Sequence, residues 1–314
     1  MKRRWNATGS PQKLGISRLN RQPMRPWTQA QSKGAEPAHI AENTRLPFFE
    51  VACMSIGIIA EADAIELHGV RLNRMTEAEC VRHILAESDA GRGGWVVTVN
   101  LDILRRMTLD GRYASLCQQA TLQVADGMPL LWAARMQGTP LPERVAGSSV
   151  IWSLSQAAGL GGRSVFLLGG SAGTADEAAA ILKKTNPGLQ IAGTYRPEFG
   201  FEQESGSIER IRTMLVEANP DIVFVALGSP KQEHLIAQLR GDLPRTWWLG
   251  VGISFSFVSG HVKRAPKWMQ RCGLEWVHRL MQEPRRLARR YLVDDLPFVF
   301  RLFGVAWGRR WSRS

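Results

Sequence analysis

The stretch Asp221–Leu239, DIVFVALGSPKQEHLIAQL, changes its hydrophobic period halfway along. Residues 221–227 form a short apolar run rich in β-branched side chains, the signature of a buried strand. Gly228-Ser229-Pro230 interrupts it. From Lys231 onward apolar residues recur at three- and four-residue steps, as one face of a helix requires. Pro230 suits a first helical turn, where a missing N–H costs nothing, and this start leaves Lys231, Gln232 and Glu233 exposed at the helix N-terminus. The stretch reads as strand, tight turn, helix.

The alternation continues outward in both directions. IELHGVRL (65–72), WVVTV (95–99), TLQVA (121–125), SVFLL (164–168), LQIAGTY (189–195) and TWWLGVG (246–252) read as strands. Helical segments such as 174–184 and 207–218 lie between them. Strands that alternate with helices need crossover connections, which predicts an α/β, Rossmann-like, mostly parallel sheet with helices on both faces. The sheet ends near Gly252, and the chain beyond it is helical, basic and aromatic. Three regions follow: residues 1–60 as a disordered basic tail without apolar periodicity, 61–260 as the α/β domain, and 261–314 as a basic helical appendage.

Charge follows the same division. The formal net charge is +12, yet residues 46–260 hold 18 basic against 22 acidic side chains, while 1–45 hold 9 against 2 and 261–314 hold 13 against 4. The anion-seeking surface therefore belongs to the flanks, and its candidate partners are nucleic acid and an anionic membrane. Within Lys263–Arg290 nine Lys/Arg stand against only Glu275 and Glu283, beside Trp268 and Trp276. The segment 292–314 adds Phe298, Phe300, Leu302, Phe303, Trp307 and Trp311 to Arg301, Arg309, Arg310 and Arg313. Such a mixture suits a helix lying in the lipid headgroup plane, and a helical hairpin buried on the sheet is the other reading. No run approaches the ~20 apolar residues a spanning helix needs. MKRRWNATGSPQKL lacks the apolar stretch of a secretory signal. The four cysteines are far apart and form no CxxC pair, which suits a reducing, cytosolic setting.

In an open parallel sheet ligands bind beyond the carboxyl ends of the strands. Four such positions are polar or glycine-rich: Thr98 and Asn100 after the 95–99 strand, Asp126-Gly127 after 121–125, Gly169-Gly170 and the following SAG after 164–168, and Gly228 to Glu233 after 221–227. All four are expected on one rim. The turn GGSAGTADEA suits a phosphate, since glycine admits close approach of backbone amides to an anion. It lacks the full GxGxxG spacing, and Tyr195 and Arg196 stand where a ribose-binding acid would, which disfavours a dinucleotide cofactor. Glu233 reads as a carboxylate favoured by the positive helix end, and Gln232 as an amide able to both donate and accept toward a sugar hydroxyl. Asp126 is the best candidate for a general base, because no His follows a strand end. There is no DxD pair and no HExxH, so neither a metal nor a cofactor is expected.

Taken together, TVNLDILRRM (98–107), ADGMPLLWAARMQGTPLPERVAGSSVI (125–151), VFLLGGSAGTADEAA (165–179), PDIVFVALGSPKQE (220–233) and the basic stretch through Tyr291 resemble the WecG/TagA/CpsF glycosyltransferases, glycosyltransferase family 26. The resemblance runs from about Ile65 to Tyr291 and leaves the first 64 and last twenty residues outside. It implies inverting, metal-independent transfer of a sugar from a UDP-sugar to a polyprenyl-diphosphate-linked saccharide, by an enzyme peripheral to the inner, cytoplasmic face of the membrane. By motif, Asp126 would take the acceptor's proton, and Thr98, Asn100 and Gln232 would line the pocket. Arg144 would bind a phosphate group, and Arg279, Arg286 and Arg289 would stand beside the diphosphate. Pro284 interrupts helical phase, so spacing does not show that these three converge. The implied partners are a nucleotide-sugar donor, the lipid-linked acceptor and an anionic membrane surface, with no nucleic acid; a homo-oligomer is compatible. An NAD(P)-dependent oxidoreductase is the alternative, and it would need the glycine fingerprint and ribose-binding acid that are missing.

Overall fold

A computed structural model describes residues 63–311, so the expected tail at 1–60 and Arg313 lie outside the described residues. The elements run β1 (Ala64–Leu67), β2 (Val70–Asn73), α1 (Glu77–Asp89), β3 (Gly94–Val99), α2 (Leu101–Leu109), α3 (Gly111–Cys117), β4 (Leu122–Ala125), α4 (Met128–Met136), α5 (Gly147–Leu160), β5 (Ser164–Gly169) and α6 (Thr174–Thr185). They continue with β6 (Gln190–Tyr195), α7 (Ser207–Ala218), β7 (Ile222–Ala226), α8 (Lys231–Leu239), β8 (Trp247–Gly250) and α9 (Ser254–Val258). The chain closes with α10 (Lys267–Arg271), α11 (Glu275–Gln282), α12 (Pro284–Ala288), a wider π-helical stretch at Arg289–Asp295, and α13 (Leu296–Trp311).

β3 to β8 form one six-stranded sheet in the order β4-β3-β8-β7-β5-β6, and every neighbouring pair is parallel. The alternation of side chains sorts the core into two layers, as a strand's period of two demands. Trp95, Val97, Val99, Phe166, Leu168, Val223, Val225 and Trp248 meet α2, α3, α4, α7 and α8 on one face. Val96, Val124, Val165, Leu167, Ile222, Phe224, Trp247 and Leu249 meet α1, α5, α6 and α9 on the other. Both faces are covered, as the near-continuous apolar strands require. Because all six strands point one way, the residues after β3, β4, β5, β7 and β8 share one rim. The helix after β5 lies on one face and the helix after β7 on the other, which opens a switch point between these two strands.

Two expectations need correction. IELHGVRL is not one strand but an antiparallel hairpin forming its own two-stranded sheet. His68 (φ 51°) and Gly69 (φ 83°) make its turn, the double positive φ of a tight hairpin, and Gly69 accepts that geometry without penalty. The segment after Tyr291 is not wholly interfacial either. Phe298, Leu302 and Ala306, spaced four apart, place one side of α13 against α4, and all three are buried. His68 stacks on Phe298 at 5.3 Å between ring centroids, and Arg309 pairs with Glu66 at 2.8 Å, which ties α13 to the hairpin. Phe300, Trp307 and Trp311 stay exposed on the opposite side.

The C-terminal helices are also pinned by charge. Asp102, nearly inaccessible in α2, accepts from Arg105 at 2.9 Å and Arg106 at 3.0 Å and pairs with Arg290 at 3.2 Å. Arg105 reaches on to Asp295 at 3.2 Å. Two carboxylates and three guanidinium groups therefore close the π-helical stretch onto the first helix of the rim. Part of the basic excess is spent on this internal lattice and is not available to an outside partner.

Candidate active site

Asp126 follows β4, held by its backbone N–H donating to Val99 O at 2.8 Å. The next turn of chain returns to the same place, where Val145 N–H donates to Ala125 O at 2.9 Å and α5 begins at Gly147. The Gly147 N–H lies near the Asp126 carboxylate and favours its charged form. Loss of surrounding water pushes the Asp126 pKa up to about 6 and outweighs the opposing pull of Arg144, while Glu275 raises it further and Arg264 lowers it. The side chain keeps partial access to solvent. A carboxylate so placed is ionised near neutral pH yet basic enough to accept a proton, the combination general-base catalysis needs.

Arg144 lies beside Asp126 and donates to Glu275 Oε2 at 2.6 Å. Arg264 donates to Glu275 Oε1 at 3.3 Å, to Ser148 O at 3.2 Å and to Ser149 Oγ at 3.0 Å. The first residue of α11 is thus fastened over the rim by two arginines, one from each side of the gap between the sheet and the C-terminal helices. Gly273 makes the approach feasible: a Cβ there would stand 2.7 Å from the Trp132 ring and 2.9 Å from Met128 Cβ of α4, and its φ is +71°. Sequence reasoning gave a site role to Arg144 but not to Arg264 or Glu275. Glu275 is 131 residues from Arg144 and 11 from Arg264, with Arg271 and Arg279 nearer in sequence, so spacing carried no sign of this trio.

The other expected residues separate by role. Thr98 is buried, and its Oγ1 donates to Gly250 O at 3.3 Å, tying β3 to β8. Asn100 caps α2, its Oδ1 accepting from Ile103 N–H at 3.0 Å, on the rim beside Asp126. Gly169 (φ 102°) and Gly170 (φ 84°) are required by packing: added Cβ atoms would stand 2.8 Å from Ala226 O and 2.6 Å from Thr174 Oγ1. At Gly228 (φ 76°) a Cβ would meet nothing within 4 Å, so the β7 turn is open at this point. Across four interstrand spacings of about 4.8 Å, Asp126 and the β5 glycines stand roughly 19 Å apart along the rim. One sugar ring does not span that interval.

The exposure expected of Gln232 and Glu233 is corrected: both are buried, under the β7 and β8 ends. Gln232 packs on Gly250, where an added Cβ would lie 2.5 Å from its Nε2, and that nitrogen donates to Glu233 Oε1 at 2.8 Å. Burial pushes the Glu233 carboxyl up, opposed first by the hydrogen bond from Gln232 and by the nearby hydroxyls of Ser229 and Tyr113. The helix turns inward at once after Pro230, because Leu235, Ile236 and Leu239 must reach the core and carry the first turn with them.

In the C-terminal helices Arg279 and Arg286 meet on a common carboxylate, Glu283, while Arg289 is exposed and stands outside that pair. Arg279 lies 5.9 Å over the Phe257 ring, and its Nε is buried without a hydrogen-bond partner among the described residues. The same residues contain no group of three or more His, Cys, Asp and Glu side chains gathered as a metal would need. Concavity alone points elsewhere, to a shallow hollow at the α2–α3 corner lined by Leu109, Asp110, Arg112 and Ser115, which includes none of these groups.

Known proteins resemble the chain over most of its length. The family model described as the glycosyl transferase WecG/TagA/CpsF family matches residues 65–312, so all but the final two of the last twenty residues, expected outside the resemblance, are within it. An N-acetylglucosaminyldiphosphoundecaprenol N-acetyl-beta-D-mannosaminyltransferase of Bacillus spizizenii is 33% identical over 201 residues, 64% of this chain and 76% of the relative. The protein of the same description from Bacillus subtilis is 32% identical over 197 residues, 63% of this chain and 75% of the relative. With its parallel sheet, its helical C-terminal segment and a match across nearly all the described residues, the chain belongs to the WecG/TagA/CpsF family of glycosyltransferases, and with it to the hexosyltransferases.

Proposed function

We propose that the protein transfers a sugar from a UDP-sugar to a saccharide carried on polyprenyl diphosphate, with inversion at the anomeric carbon, without a metal, at the cytoplasmic face of the membrane. The observation that carries the reading is Asp126 at the β4 end, partly open to solvent, with its pKa raised to about 6 beside Arg144. In the reaction the acceptor hydroxyl oxygen attacks the anomeric carbon and its proton passes to the Asp126 carboxylate. The bond from that carbon to the UDP oxygen breaks on the opposite side, and UDP leaves with the electron pair. Arg144 and the arginines of the C-terminal helices supply positive charge to the leaving diphosphate, a stabilisation that grows as the bond breaks.

The relatives' descriptions name an N-acetylmannosaminyl group and an N-acetylglucosaminyl-diphosphoundecaprenol acceptor, and the same pair is the first choice here. No helix among the described residues is long and apolar enough to cross a membrane. The C-terminal helices instead expose Trp268, Met281, Val293, Phe300, Trp307 and Trp311 among the exposed Lys267, Arg271, Arg285 and Arg301. Apolar side chains interleaved with cations suit an anionic headgroup layer. Incubation with a panel of UDP-sugars and short-chain polyprenyl-diphosphate N-acetylglucosamine, read by mass spectrometry, tests the reading. A product heavier by one N-acetylhexosamine residue is expected; no product with any donor, from folded protein, contradicts it.

A further inference from the structure

Arg144 and Arg264 present their guanidinium groups to the two oxygens of one carboxylate, Arg144 to Oε2 at 2.6 Å and Arg264 to Oε1 at 3.3 Å of Glu275. Each member of this trio is largely shielded from solvent, with side-chain exposures of 17%, 22% and 16% for Arg144, Arg264 and Glu275. Two arginines converging on two oxygens of one anion form a built anion site, the geometry in which guanidinium groups also grip phosphate. Arg264 is further fixed by its bonds to Ser148 O and Ser149 Oγ at the start of α5, the same helix end that lies near Asp126. The site therefore stands beside the reacting carboxylate and is filled by a residue of the chain itself.

We infer that Arg264 and Arg144 together form the binding site for one substrate diphosphate, and that the Glu275 carboxylate occupies it in place of that ligand. The inference rests on the transferase reading above and extends it to a residue and an occupant that the reading does not contain. The remaining charges support exchange over joint occupancy. Asp126 and Glu77 are also within electrostatic reach of both arginines, and Glu143 lies against Glu77, its Oε1 accepting from the Glu77 backbone N–H. A diphosphate that entered with Glu275 still in place would meet three carboxylates around two guanidinium groups. Departure of Glu275 restores the balance, and because Glu275 begins α11, its release frees that helix end from the rim when the ligand binds. The diphosphate belongs either to the nucleotide or to the lipid-linked acceptor, which share the chemistry the two arginines recognise.

Calorimetry on the full chain with UDP and, separately, with farnesyl diphosphate tests this. Glu275→Gln removes the competing charge and is expected to bind one of the two ligands about tenfold tighter than wild type, while Arg264→Ala binds the same ligand about tenfold weaker. The ligand that gains identifies the source of the diphosphate. Equal or weaker binding of both ligands by Glu275→Gln overturns Glu275 as the occupant, and unchanged binding by Arg264→Ala overturns the two-arginine site. Glu275→Ala replaces the glutamine variant if the latter loses its folded circular-dichroism spectrum. Arg144→Ala separates the two levels: loss of binding there without a gain in Glu275→Gln rejects only the occupant, whereas unchanged binding in Arg144→Ala rejects the placement of a phosphate at Arg144.

Discussion

The rim of the sheet and the C-terminal helices solve opposite problems with charge. At the rim an aspartate has lost part of its surrounding water beside cations, so that desolvation rather than pairing dominates its proton affinity. In the C-terminal helices cations are numerous, and the few acids present organise them. Glu275 joins Arg144 to Arg264, Glu283 joins Arg279 to Arg286, and Asp295 with Asp102 joins Arg105 to Arg290. Net charge therefore overstates what the C-terminal segment offers to a partner. Its arginines divide between those consumed by internal acids and those, such as Arg285, Arg289 and Arg301, left at the surface.

The largest expected effect is at the rim. Asp126→Asn keeps the shape of the side chain but cannot take a proton, so transfer falls by about a hundred- to ten-thousand-fold while UDP affinity, read by calorimetry, changes little. Next come substitutions that unfasten the two regions from each other. Asp102→Ala leaves three guanidinium groups without their shared buried carboxylate, and urea denaturation is expected to show a loss of about 3–5 kcal/mol. Leu302→Ala opens a cavity between α13 and α4 and costs about 2–5 kcal/mol by the same measurement. Trp307→Ala on the exposed side of α13 is expected to stay within about 0.5 kcal/mol. Equal losses at Leu302 and Trp307 would contradict the one-sided burial of that helix.

The smallest effect belongs to the exposed cations. Lys267→Ala and Arg285→Ala are each expected to weaken sedimentation with anionic vesicles by about 1 kcal/mol, with no change on neutral vesicles. The effect shrinks as salt rises, since exposed charges are screened. A loss of equal size on neutral vesicles would assign these side chains to the fold instead.

The rim was easier to foresee than the C-terminal helices, for a physical reason. Burial on both faces of a parallel sheet writes itself as apolar runs of strand length, and parallel direction then forces Asn100, Asp126 and Gly228 to one edge. Pairings within the C-terminal segment depend on which long side chain turns to which neighbour, and periodicity carries no trace of that. The hairpin was missed because IELHGVRL keeps an apolar residue at every second place up to Leu67 and again from Val70, which hides His68-Gly69 as strand. The inward turn of Gln232 and Glu233 was missed because a helix N-terminus ordinarily faces water. Here Leu235 and Ile236 drag it below the β8 end. The strand-end position already pointed to Asp126 as a base, and family resemblance supplied the phosphate role expected of Arg144, but neither extended to the carboxylate lying on Arg144.

The pH dependence of kcat/KM for sugar transfer tests the central claim most directly. Asp126 must be ionised to accept a proton, and its pKa is raised to about 6, so the rate should be level above about pH 7 and fall tenfold per unit well below about pH 6. The residual activity of Asp126→Asn should lack that limb. A profile that stays level down to about pH 5, or one whose acid limb survives in Asp126→Asn, would contradict the assignment of Asp126 as the base.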